Sequence, residues 1–428
     1  MSLKSINRVL GWESMLIIST YGGFLRILPL PKVVIWGISI TAAGIAFVLS
    51  SGKIILRPAH ISNNTLLVLG LFLVLFAWAV ISILWSPIST NHLVSSDIFT
   101  ALFVVFPTLA LLICGNTAPD IEIRCVTGLV LTLFPVFLYI LLRWMLSDLP
   151  LHNMLLQMSL DKGVGNIYLG AGIIFMLSSL GLILWSIYAR SHRKLTLIAG
   201  IFTFILSIQA GGRGPVLSGI LTMLVIALFT IIQRRAITRK WLNVIGVVFI
   251  SIVLIVVLLI SFSDVIYINR IHSKTAISQR FSSDKERGFD EKSSIGFRLA
   301  QYKEVFSFIS DRPIIGNGIF SYRVLTSFHD NIYPHNIILD IWGDLGFIGL
   351  IMLILMISIA LRSCWLIIKF NTSVYSIICV AVFLFFLIES QFSGYIYRSQ
   401  LWIWLSIVVV CSGDRLYRKS TLNMQVLS

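Results

Sequence analysis

Apolar residues run along this chain in long blocks instead of alternating with polar ones. A bilayer core asks for roughly 20 consecutive apolar residues per helix. Blocks near that length fall at 12–30, 33–50, 65–85, 96–114, 125–146, 167–188, 195–211, 214–232, 241–262, 337–360, 374–390 and 396–411. They predict about twelve membrane-spanning helices joined mostly by short turns.

One connection, 263–334, departs from this pattern. Its first half, I-H-S-K-T-A-I-S-Q-R-F-S-S-D-K-E-R-G-F-D-E-K, is polar throughout. In the second half Leu299, Tyr302, Val305 or Phe306, and Ile309 recur at helical spacing, with Ser294 as a cap and Pro313 as a stop. The spacing predicts an amphipathic helix over 295–310, lying on or against the membrane domain. The D-R-P-I-I-G-N-G-I-F that follows reads as a tight Pro/Gly turn. With no internal repeat or low-complexity stretch, 1–428 reads as a single integral membrane domain carrying a loop at 263–334.

Composition agrees with the blocks. The chain is 57% hydrophobic and 12% charged, with a mean hydropathy of +0.94, which excludes an ordinary soluble domain. A net charge of +15 would suggest nucleic acid in a soluble protein, but here its placement follows topology. Lys4, Arg8, Lys53, Arg57, Arg124, Arg190, Arg193, Lys194, Arg234, Arg235, Arg239, Lys240, Arg362, Lys369, Arg415, Arg418 and Lys419 all fall on one side of the twelve-span reading. The short turns of the other side hold only Lys32, Lys162, Arg213 and Arg398. The positive-inside rule then puts both termini in the cytoplasm and 263–334 on the outer, periplasmic face. The first apolar block leads into a second without a small-residue cleavage site, so the chain is expected to be inserted and not secreted. Cys114, Cys125, Cys364, Cys379 and Cys411 have no paired spacing, and neither a disulfide framework nor a metal site is expected from them.

Candidate chemistry gathers on the outer side. Arg213, in Q-A-G-G-R-G-P, sits among glycines that let the backbone approach a ligand, and its guanidinium suits phosphate oxygens; it equally suits snorkelling to lipid headgroups. Arg298 begins the amphipathic helix, near amides that favour an anion, or is a solvated surface charge. His335 follows Pro334 at the mouth of a span and can take a proton from a sugar hydroxyl, or merely hydrogen-bond at the interface. Asn336 can cap the helix that follows. Asp340 and Asp344, a turn apart, need a polar cavity or a cation, while Gly343, Gly346 and Gly349 suggest close helix packing. Arg26 and Arg143 are intramembrane charges that could line a phosphate-binding cavity, with snorkelling the simpler account, and Glu389 is expected to pair with Arg398.

The order His335, Asn336, nine residues, Gly346-x-x-Gly349 resembles the signature of the O-antigen ligase and O-antigen polymerase superfamily. The turn around Arg213 resembles that family's S-G-S-R-G-P, with Ala210-Gly211-Gly212 in place of Ser-Gly-Ser. The segment from Arg298 through D-R-P-I-I-G-N-G resembles its arginine helix and D-x-P-x-x-G-x-G turn, Tyr302 standing where the family often has tryptophan. The resemblance covers roughly residues 200 to 350. It implies a GT-C-like glycosyltransferase of the bacterial inner membrane, working at the periplasmic face without metal, cofactor or nucleotide. The donor would be a glycan on undecaprenyl diphosphate, and the acceptor lipid A core or a second lipid-linked repeat unit. Arg213 and Arg298 would neutralise the leaving diphosphate, and His335 would deprotonate the attacking hydroxyl with inversion at the anomeric carbon. Asn336 and Asp340 stand beside them as supporting residues. Ligase and polymerase remain alternatives. The competing class is a transporter or flippase of similar span number, which predicts two similar halves and mid-bilayer charges that are not evident here.

Overall fold

The computed structural model describes residues 11–31, 34–35, 37–46, 61–87, 105, 107–113, 120–162, 167–189, 192–233, 294–327, 334–370, 373–393 and 400–412. No strand occurs among them: the fold is all-α, as membrane spans other than barrels must be. The principal helices are α1 Trp12–Tyr21, α2 Gly37–Ala46, α3 Asn63–Ile81 and α4 Ile121–Met145. Then come α5 Leu151–Lys162, α6 Ile167–Tyr188, α7 Arg193–Gln209 and α8 Arg213–Gln233. Beyond the polar loop follow α9 Ser294–Asp311, α10 Ser321–Leu325, α11 Ile337–Phe370, α12 Val374–Ser393 and α13 Gln400–Ser412. Six helices among the described residues are long and apolar enough to cross a membrane: α4, α6, α11, α12, the first part of α8, and α3 with the turn that extends it to Trp85. The chain is a multi-pass membrane protein. The expected span at 241–262, most of 96–114 and the polar half of the loop lie outside the described residues.

The chain divides into two units, 1–134 with 297–428, and 135–296. The change of unit falls at Pro135, inside α4.

In the unit 135–296, α6 and α7 form an antiparallel hairpin whose small residues bring the backbones together. Ser179 donates to the Gly200 carbonyl at 2.9 Å and Ser207 to the Gly172 carbonyl at 3.0 Å. A side chain at Gly200 would press on Ile183. The helix α5 was not expected from the sequence, where 147–166 lies between two spans as an outer turn. It buries Leu151, Met154, Leu155 and Met158 and exposes Leu160, so it lies on the unit as a surface helix too short to span.

In the unit 1–134 with 297–428, α1 crosses α4 so closely at Gly128 that a Cβ there would stand 2.6 Å from the Ser14 carbonyl oxygen. Arg124, expected in an inner turn, lies instead in the first turn of α4, buried and paired with Glu13 at 3.1 Å. Trp404 donates to the Tyr21 hydroxyl at 2.7 Å, and Phe72 packs edge-on to Trp402.

The helix α11 is not one rod. At Gly346 the backbone turns to φ 69°, ψ −169°, which breaks it into 337–345 and 347–370. The second piece, at 1.5 Å per residue, spans about 36 Å and is the membrane helix. The break frees backbone groups that must find partners, and the D-R-P-I-I-G-N-G turn supplies them. Phe347 N–H donates to the Pro313 carbonyl at 2.9 Å and Ile348 N–H to that of Ile314 at 3.3 Å. In return the Gly343 and Asp344 carbonyls accept from the N–H groups of Asn317 and Gly318, each at 2.9 Å. Trp78, near the end of α3, donates to the Leu345 carbonyl at 3.0 Å. Gly346 is therefore the break point and not a packing glycine: a Cβ there would run into the Ile314 carbonyl. Gly343 has only Val305 nearby, at 3.6 Å.

Candidate functional site

The local sequence fixes the entrance to α11. Pro334 is buried, and His335 adopts a left-handed backbone conformation at φ 58°, an uncommon state for a non-glycine residue. Asn336 then caps the helix as expected, its Oδ1 accepting from Ile338 N–H at 2.9 Å and Leu339 N–H at 3.1 Å. Its Nδ2 donates to the Gln391 carbonyl at 3.3 Å, near the end of α12.

The predicted amphipathic helix is α9, and it docks on the front half of α11. Val305 and Ile309 pack with Leu339 and Tyr322, flanked by Tyr302, Phe308 and Trp342. The inward stripe differs from the expected one: Leu299 and Phe306 are exposed, and the fully buried Gln301 takes an inward position. Arg298 stands one turn inside the helix, not at its start.

This docking brings Arg298 to His335. Burial pushes the imidazole down from its usual range, and the Arg298 guanidinium pushes it further, to about 4. The ring is therefore a neutral proton acceptor at physiological pH. Tyr302, one turn beyond Arg298, has its phenol raised by burial, against the pull of Arg298 and of a hydrogen bond with Asn336. Arg298, Tyr302, His335 and Asn336 thus form one corner, drawn from α9 and the start of α11. Sequence spacing signalled all of these but the partnership of Tyr302 with Asn336.

Asp340 and Asp344 serve other neighbours. Asp344 accepts from the Phe320 N–H at 2.8 Å and from the Ser321 hydroxyl at 2.7 Å, anchoring the turn that leads into α10. Asp340 is buried, and its charge bears on the Tyr322 phenol, together with the larger effect of burial and with Thr326, Glu304 and Gln301. Asp344 thus holds the architecture beneath the corner, and Asp340 sits against α10.

Arg213 belongs to the other unit. It opens α8, half-buried, after Gly211 at φ 86°. A cation in a helix first turn opposes the macrodipole, so this position favours an anion beside it. The turn is fixed from α5: His152 Nδ1 hydrogen-bonds the Ala210 carbonyl at 3.0 Å, and its ring packs edge-on to Tyr168. Sequence reasoning assigned His152 nothing, because no spacing links it to residue 210. Arg26 and Arg143 are exposed and Glu389 is buried, while Arg398, its expected partner, lies outside the described residues.

The fold and the corner define a multi-pass helical membrane protein with a neutral histidine and a cation held together at the mouth of a broken span. Residues 195–354, a stretch that contains the Arg213 turn, α9 and the His335 entrance, match the family described as O-Antigen ligase. That match supports a relationship to the O-antigen ligase and polymerase superfamily over this stretch of the chain. No curated protein is similar enough to this chain to count as a match.

Proposed function

We propose that this protein transfers a glycan from undecaprenyl diphosphate to an acceptor sugar hydroxyl at the periplasmic face of the bacterial inner membrane. The observation that carries the reading is the half-buried His335 at the mouth of α11, close enough to Arg298 of α9 for that charge to act on its ring. A sugar hydroxyl is a poor nucleophile at neutral pH and needs its proton withdrawn as it attacks. The departing diphosphate accumulates negative charge and needs cations. His335 supplies the first and Arg298 the second. Arg213, in the other unit, is proposed from its sequence setting as a further diphosphate cation. Direct attack opposite the leaving group inverts the anomeric carbon, and the arginines neutralise the diphosphate without any metal ion.

An imidazole held near 4 is a weak base, and the donor offsets the part of this that Arg298 causes. A diphosphate seated on Arg298 cancels the charge that opposes protonation of the ring, so basicity rises when the substrate is bound. The test is transfer by the purified protein from a defined polyprenyl-diphosphate glycan, with R213A, R298A and H335A in parallel. The reading expects loss in each variant at normal protein levels, and three active variants would overturn it. A lipopolysaccharide gel of a deletion strain separates the two forms of the reaction. Loss of a polymerase leaves core with one repeat unit, whereas loss of a ligase leaves bare core and accumulated lipid-linked glycan.

A further inference from the structure

The side chain of the asparagine that follows His335 is bonded within the fold at both its oxygen and its nitrogen. A side-chain amide offers two acceptor sites on oxygen and two donor hydrogens on nitrogen. In Asn336 the oxygen is taken by Ile338 and Leu339 N–H. The nitrogen donates to the Gln391 carbonyl at 3.3 Å, and a hydrogen bond with the same side chain acts on the Tyr302 phenol. The Gln391 carbonyl is itself among the last four of α12, which have no partner within their own helix. One side chain therefore ties α9, α11 and α12 together, immediately after a residue held at φ 58°.

We propose that Asn336 is a positioning residue that locks His335 in its left-handed conformation beside Arg298, and that Tyr302 and the Gln391 carbonyl are the fixtures through which it does so. This rests on the reading of His335 as the base, and it gives Tyr302 a role that packing alone does not. Left-handed backbone in a histidine is strained and persists only where the surroundings impose it. The cap fixes one flank of His335. The amide nitrogen fixes the other two helices against that cap. Near this corner stand the titratable groups Arg298 and Tyr302 of α9, Asp340 of α11, and Glu389 of α12 two residues before Gln391; of these Arg298 acts on the imidazole.

Two variants separate positioning from simple stability. Asn336→Ser keeps an oxygen able to cap the helix but has no amide to donate. Tyr302→Phe keeps the ring that packs against the cluster of Val305, Ile309, Tyr322 and Leu339 and drops only the hydroxyl. Histidine ring carbons are labelled in the full-length protein in nanodiscs, and the His335 signal is assigned by its absence in His335→Gln. We expect the His335 titration to move from about 4 toward its ordinary 6.5 in both variants, as the ring drifts from its buried place beside Arg298. Transfer should lose about tenfold or more in kcat with little change in KM for the donor, as a misplaced base does. A titration unmoved in both variants, or a loss confined to protein yield or KM, overturns the proposal. Because the titration needs no turnover, an active His335→Gln would sink the base reading and leave the positioning test standing.

Discussion

At the residue scale, the proposed base is His335, whose basicity is lowered first by burial and then by Arg298. The folded chain holds the imidazole neutral down to about 4, whereas an ordinary histidine protonates near 6.5. Between these values the unfolded chain binds the additional proton, so the neutral form contributes stability in full above about 6.5 and loses it as pH falls toward 4. The kinetic consequence is two separate acid limbs. In kcat/KM, which reports the free enzyme, the limb should fall near 4; in kcat, which reports the donor complex, it should lie higher, because the diphosphate offsets Arg298. In R298A the two limbs should converge. A single limb common to both parameters in the unaltered protein would show that the donor does not act on His335 through Arg298. R298K should recover less than half of the lost rate, since an ammonium cannot form the two-pronged contact of a guanidinium with phosphate.

At the scale of elements, the break in α11 is the feature that positions the corner. Gly346→Ala places a side chain at φ 69° against the Ile314 carbonyl, and should cost upwards of about 1 to 3 kcal/mol. Gly343→Ala meets only Val305 at 3.6 Å and should leave the melting temperature in detergent nearly unchanged. Equal melting shifts in the two variants would mean that α11 is continuous. A second element-scale expectation concerns the buried Glu13–Arg124 pair: Glu13→Ala strands a buried guanidinium and should destabilise by about 3 to 5 kcal/mol, far more than loss of an exposed pair. Much of this level was legible in the sequence. Ser294, Pro313 and the apolar spacing announced α9, and Pro334-His335-Asn336 announced the entrance to α11. The break was not legible, because Gly343, Gly346 and Gly349 at intervals of three look alike on paper. They differ only in what lies opposite, and that is set by the turn 313–318, distant in sequence. Leu299 and Phe306 misled for a related reason: α9 is apolar on more than one face, and spacing does not say which face docks. The partners His152 with Ala210 and Glu13 with Arg124 join residues 58 and 111 apart, beyond the reach of any local pattern.

At the scale of the whole molecule, the charge asymmetry and the family match of residues 195–354 bear on where the chemistry takes place. Lys and Arg gather on one side of the expected spans, so both termini should be cytoplasmic and α9 with the His335 entrance periplasmic. Single cysteines introduced at exposed Lys303 and Ser310 should react with a membrane-impermeant maleimide in intact cells, while one introduced at Lys369 should react only after the inner membrane is opened. The reverse pattern would put the corner on the cytoplasmic face, away from the proposed reaction. The central claim, that His335 is the base for transfer from a diphosphate-linked glycan, is tested most directly by purified protein in nanodiscs with a synthetic polyprenyl-diphosphate glycan and a defined acceptor. The account predicts that the unaltered protein forms the transferred product and free polyprenyl diphosphate, and that H335Q, folded and still able to bind the donor, is slower by about a hundredfold or more. Transfer by H335Q at the rate of the unaltered protein would contradict it.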